Sequence, residues 1–157
     1  MQTTENRPLA GYAAFVAAYT IAFASAIFAL RRIGRPLPNP GATDIALLGL
    51  ATHKTSRLLT KEKIARPLRV PFTEDHGKSE MPPELDESPR EEGGAVHRAV
   101  AELLVCPYCL SQWIATMLML GLAVAPRPTR FLASILATVT VADFLQPAYR
   151  AVEKVTE

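Results

Sequence analysis

The chain has 157 residues, 49% of them hydrophobic and 20% charged, with 17 Lys and Arg against 15 Asp and Glu. The charges are gathered into residues 54–98, where 45 positions carry 18 charged groups, while the other 112 carry only 14. A disordered tail is excluded and a water-soluble enzyme disfavoured, because two uncharged runs, Leu9–Leu30 and Leu103–Ala125, reach the roughly 20 apolar residues that a helix needs to cross a bilayer core.

The first run is rich in alanine and stops at Arg31-Arg32, the pattern of a membrane helix with a basic end. Ala24-Ser25-Ala26 resembles a signal-peptide cleavage site, but the apolar run continues past it and only Arg7 precedes it as a basic residue, so a retained span is expected. Pro36, Pro38 and Pro40, with Gly34 and Gly41, predict an extended linker, since proline donates no hydrogen bond and restrains its predecessor. Asp44 would then cap a second helix over Ile45–Leu59. Only its first half is strongly apolar, and His53, Lys54 and Arg57 make its end basic. It is therefore either a short span whose basic end reaches the headgroups or an amphipathic helix lying in the interface.

The hydrophilic stretch has two halves of opposite sign. Lys54, Arg57, Lys61, Lys63, Arg66 and Arg69 face only Glu62, and Glu74, Asp75, Glu80, Glu84, Asp86, Glu87, Glu91 and Glu92 face only Lys78 and Arg90. The basic half suits anionic lipid headgroups at about 1 kcal/mol per residue near the surface. The acidic half, with Pro82, Pro83, Pro89 and Gly93-Gly94, is expected to be a mobile loop. Nucleic-acid binding is not expected, because the basic run is short and its neighbour cancels it. From Ala95, Val96, Val100, Leu103 and Leu104 recur at helical spacing opposite His97, Arg98 and Glu102. Pro107 should open a third span, Tyr108–Ala125, and after a tight turn at Pro126–Arg130 a fourth should run from Phe131 to about Tyr149.

Cys106-Pro107-Tyr108-Cys109 holds both cysteines. The pair is redox-active, half of a metal site, or packed as small apolar side chains. Its place ahead of a helix favours thiolate, through the positive end of the helix dipole and free backbone donors. The tetrapeptide also occurs in glutaredoxins, but the strand–helix setting it has there is missing here. Zinc would need two more ligands, with His97 nearest and His53 and His76 farther away; no cofactor is otherwise expected. Asp143 lies inside the fourth span, where an ionisable side chain suggests function, with Lys54 or Arg57 as natural partners; pairing near Arg150 at the interface is the plainer alternative. Gln112 faces either the bundle or the headgroups, and Gly121 with the alanines suits close helix packing.

Residues 54–98 hold nine of the 17 basic residues, so the positive-inside rule puts them, with Cys106 and Cys109, in the cytoplasm. Four spans would then leave Arg31, Arg32, Arg35, Arg127 and Arg130 outside. Three spans with an interfacial second helix would bring Arg31–Arg35 inside, which charge counting alone favours.

Arg57-Leu-Leu-Thr60-Lys-Glu-Lys63-Ile64-Ala65-Arg66-Pro-Leu-Arg69-Val-Pro71-Phe72, followed by Glu102-Leu-Leu-Val-Cys106-Pro-Tyr-Cys109-Leu-Ser-Gln-Trp113, resembles a small bacterial multi-pass membrane-protein family, domain of unknown function 1360, over about Asp44 to Val152. Some members of that family are connected with sporulation, and members typically carry glycine where this chain has Ala101 and Ser111. The resemblance implies three membrane segments, the first ending near Arg57–Lys61, so that Leu9–Leu30 is an added span. The expectation is an all-α, four-helix integral membrane bundle of the inner membrane. Residues 1–43 form its N-terminal span and linker, 44–152 the family domain with a cytoplasmic loop at 60–105, and 153–157 a tail. It would act as a structural or partner subunit, with another membrane protein or a second copy as partner; a thiol–disulfide role for Cys106 and Cys109 is the alternative.

Overall fold

The computed structural model describes residues 9–78, 84–90 and 94–156. Glu80, Pro82, Pro83, Glu91, Glu92 and Gly93 of the acidic half, and Arg7, lie outside the described residues. Six α-helices are described: α1 Leu9–Arg32, α2 Ala42–Thr60, α3 Arg66–Arg69, α4 Ala95–Val105, α5 Pro107–Val124 and α6 Pro126–Thr156. A 3-10 turn, Lys63–Ala65, precedes α3, and two strands, β1 Thr73–Lys78 and β2 Leu85–Pro89, lie between α3 and α4.

Three helical stretches, Ala10–Arg32, Pro107–Val124 and Pro126–Lys154, are long and apolar enough to cross a membrane. α2 is not among them, because Asp44, Lys54 and Arg57 put three charges in 19 residues. Its surroundings are nevertheless those of an interior helix. It packs against both α5 and α6, and Leu48 and Ala51 form a core with Leu122 of α5 and Ala133 of α6. Three contacts fix its direction: Asp44 meets Arg130, the Leu50 carbonyl accepts from Thr140, and Lys54 meets Asp143. Residue numbers rise together in these pairs, so α2 and α6 run parallel.

α1 is held to the other side by close approach. A Cβ on Gly11 would lie 2.7 Å from the Ala95 carbonyl oxygen and 2.8 Å from the Ala99 Cβ. Farther along, the Tyr19 hydroxyl lies 2.8 Å from Thr116 Oγ1 and accepts from Gln112 Nε2 at 2.9 Å, with its ring edge-on to Trp113. α1 therefore follows α4 and α5 in their own direction, and Gln112 faces the bundle. Gly34, at φ +68°, ends α1: the Gly34 and Arg35 amides return to the Arg31 and Leu30 carbonyls, a left-handed cap that a side chain would strain.

The described surface carries large apolar side chains, among them Val16, Ile21, Phe28, Phe131, Leu132 and Ile135, while Ala51, Ala101 and Ala133 are fully buried. Small residues inside and large ones outside are how helices associate in lipid, where burying leucine gains little.

Several boundaries differ from the sequence expectation. Gly41 caps α2, and Asp44 sits in its first turn. There is no turn over Pro126–Arg130: α6 starts at Pro126, directly after Ala125, because prolines in a first helical turn forfeit no hydrogen bond. The all-helical expectation also omits a hairpin. β1 and β2 pair antiparallel, with Thr73 opposite Pro89 and Asp75 opposite Glu87, and Glu62 bridges to Glu84. Glu74, Asp75, Asp86 and Glu87, expected in a mobile loop, lie in these strands. The basic half holds them there.

Candidate functional site

The 3-10 turn, α3 and the hairpin make a polar cap at one end of the bundle, centred on Arg69. Its guanidinium is fully buried: Nε donates to Glu87 Oε2 at 2.7 Å, and Nη1 donates to the carbonyls of Leu59 and Glu62 at 2.8 and 3.1 Å. Thr73 Oγ1 donates to the same carboxylate oxygen at 3.2 Å. A buried charge is tolerated only when its donors are satisfied, and Arg69 ties the end of α2 to β2 in doing so. Arg66 pairs with Asp75 at 2.8 Å, and Arg57 pairs with Glu84. The two oppositely charged halves therefore neutralise one another. Within the basic run, Arg57, Arg66 and Arg69 each hold a carboxylate of the cap.

At the junction of cap and bundle, Lys54 donates to Glu62 and, at 2.9 Å, to Asp143 Oδ2. Of the two partners expected for Asp143, Lys54 is the one it meets, while Arg57 goes to Glu84, and Glu62 is an addition. An open cavity of about 420 Å³ borders this junction, lined by His53, Arg57, Glu84, Phe144, Gln146 and Arg150 together with the triad itself. His53 stacks on Phe144 at 5.8 Å between ring centres.

Cys106 is the hinge between two helices, ending α4 and capping α5. It is joined to Cys109 as a disulfide, with Cα atoms 5.3 Å apart, and the Cys109 amide donates to Cys106 Sγ at 3.2 Å. That donor points where a Cys106 thiolate would carry its charge in the reduced state. Cys109 is exposed, and Tyr108 between them is 87% exposed, so the corner is open to a partner. His97 packs on the Phe72 ring at 5.0 Å, and its Nδ1 is buried without a hydrogen bond. His76 Nε2 lies 2.6 Å from Ser88 Oγ. Among the described residues no three His, Cys, Asp or Glu side chains converge as a metal set.

Sequence reasoning missed the partners rather than the centres: Asp75, Glu84 and Glu87 were read as parts of one mobile acidic loop, and Glu62 only as the lone acid of the basic half. The available signal was the sign reversal itself, five net positive charges followed by a comparable acidic excess, which a hairpin can fold together. Asp44 and Arg130, joined by two hydrogen bonds of 2.8 Å at the bundle's other end, were also not anticipated as a pair.

A family model described as "Protein of unknown function (DUF1360)" matches residues 47–149. The chain is also similar to the "Sporulation protein YjcA" of Bacillus subtilis (strain 168), 31% identical over 102 residues that cover 65% of this chain and 86% of that protein. No solved structure matches. The chain belongs to the DUF1360 family.

Proposed function

We propose, with that membership as premise, that the chain is a four-span protein of the bacterial inner membrane acting as a partner subunit, with its cap in the cytoplasm. The observation that carries the partner role is the cap's apolar face. On an otherwise ion-paired unit, Ile64, Leu68 and Val70 are 77%, 63% and 46% exposed, beside the buried Ala65 and Arg69. A unit pinned by a buried arginine offers such side chains in a fixed arrangement, as a docking surface needs. Four spans are supported by the helix directions, with α2 parallel to α6 and α1 following α4 and α5. The cytoplasmic side is supported by the cap's share of basic residues. The relative's name makes spore formation the first setting in which to seek the partner.

Ile64→Ser with Leu68→Ser tests this in the full-length chain. It should remove crosslinks from a photoreactive residue at Val70 to a membrane-protein partner while detergent-solubilised thermal unfolding stays unchanged. Crosslinks that persist at full strength would refute this docking face.

The cysteine corner favours a second reading, a thiol–disulfide role. In the reduced pair, the Cys106 thiolate would attack a partner disulfide, forming a mixed disulfide and releasing one partner thiolate. Cys109, after losing its proton to solvent, would attack Cys106 Sγ and expel the second, so that two electrons pass to the partner and this pair closes. The Cys109 amide aimed at Cys106 Sγ supports that order of attack. Alkylation rates against pH check it: a Cys106 pKa near the ordinary ~8.5 would count against an activated thiolate.

A further inference from the structure

We infer that the cavity between the second half of α2 and the end of α6 is a binding site for a zwitterionic phospholipid headgroup, a phosphodiester bearing a primary ammonium. The lining is formally neutral: Lys54, Arg57 and Arg150 are balanced by Glu62, Glu84 and Asp143. A neutral lining gives no general preference for anions, so the distribution of charge decides what fits.

Most of that charge is already spent inside the protein. Lys54 is shared by Glu62 and Asp143, and Arg57 is taken by Glu84. What remains is one positive and one negative group. Among the described residues, Arg150 has no ion pair, and Asp143 engages only Oδ2, its side chain about half exposed. Pro147 lies one turn after Asp143 and has no amide to donate, so the Asp143 carbonyl is left as a second acceptor beside the carboxylate.

Asp143 and Arg150 are seven residues apart, which puts them on the same face of α6, two turns or ~10.5 Å apart along its axis. Helical side chains lean toward the N-terminus, so the long arginine reaches back toward Asp143 and narrows the gap. A phosphate against Arg150 and an ammonium against Asp143 and its carbonyl would satisfy both ends of one headgroup. Gln146 lines the space between them.

A lipid, rather than a soluble phosphoamine, is favoured by the apolar flank of the same helix. Phe144 lines the cavity and is 61% exposed, and Val141 and Leu145 are exposed at helical spacing beside it. That strip gives an acyl chain a path out of the cavity along α6. The inference rests on α6 lying in the membrane and is independent of the partner role.

Native mass spectrometry of the full-length protein, purified in detergent and exchanged with defined lipids, tests the assignment. Phosphatidylethanolamine should be retained at least tenfold over phosphatidylglycerol, and over phosphatidylcholine, whose methylated amine cannot donate to Asp143. Arg150→Gln, at an exposed helix position, should lower retention about tenfold with unchanged unfolding temperature. Asp143→Asn should erase the preference for ethanolamine over choline. Equal or stronger retention of phosphatidylglycerol would overturn the proposal, as would wild-type retention by Arg150→Gln. Soluble phosphoethanolamine should not displace the lipid at equal concentration; if it does, the site belongs to a soluble ligand and the lipid assignment falls. Failure of any of these leaves α6 as a span, which is read separately from the protein's need for detergent.

Discussion

In the bundle, α2 meets its neighbours through Leu48, Ala51, Leu122 and Ala133, whereas in the cap a whole guanidinium, Arg69, is sealed among carbonyls and the Glu87 carboxylate. Across the described residues the largest fully buried side chains are Arg69, Thr60 and Thr140, all polar. The two regions thus use different cohesive forces. Between lipid-exposed helices, large apolar groups gain little from facing inward, so small residues and a few hydrogen bonds do the joining. In the cap, Ile64, Leu68 and Val70 face outward and make no core, and a saturated ion pair takes its place.

That contrast can be broken at four points. Arg69→Ala should have the largest effect, about 3–5 kcal/mol, because Glu87 and two carbonyls stay buried without their donor. Limited proteolysis should then cut between residues 60 and 90 while the circular dichroism of the helices is nearly retained; loss of all helicity would show that cap and bundle are one cooperative unit. Gly121→Val comes next, since a Cβ there would stand 2.8 Å from Thr129 Oγ1 where α5 turns into α6. Overpacking of about 1–3 kcal/mol should appear in denaturant titration of the bundle, with the cap still protease-resistant. Lys54→Met leaves Glu62 and Asp143 facing each other without their shared cation. Only Asp143 of the three is about half exposed, Lys54 and Glu62 being largely buried, so about 1–2 kcal/mol is expected, and adding Asp143→Asn should recover part of it in a double-mutant cycle. Arg66→Ala removes an ion pair whose arginine is half exposed, and a change in unfolding free energy above about 1 kcal/mol would show the cap to be tighter than its exposure suggests.

The legible part of the sequence was the periodic and the apolar. The start of α5 at Pro107, the run of α1 and the nearness of Lys54 to Asp143 all follow from spacing and from the cost of an unpaired charge in a membrane segment. The hairpin was not legible, because its strands, Thr73–Lys78 and Leu85–Pro89, lack apolar alternation. They are polar segments whose order comes from Arg66 and Arg69, residues that precede them in the chain. The central place of α2 was obscured for the same reason. Its Lys54, Ser56 and Thr60 look like surface residues until α6 and the cap cover them. At the cysteine corner the helix-capping position was readable from Pro107, but the aim of the Cys109 amide at Cys106 Sγ required coordinates.

The ion pairs at the two ends of α2 also set a thickness. Asp44 and Lys54 are ten residues apart, or ~15 Å of helix, and their partners on α6, Arg130 and Asp143, are thirteen apart, or ~20 Å. A hydrocarbon layer is about 30 Å deep, and the apolar run of α1 is long enough to match it. With α2 and α6 as spans, as proposed, the uncharged helix between these pairs would fall short of that depth, a hydrophobic mismatch that lipids would meet by tilting or thinning at fractions of a kcal/mol per Å.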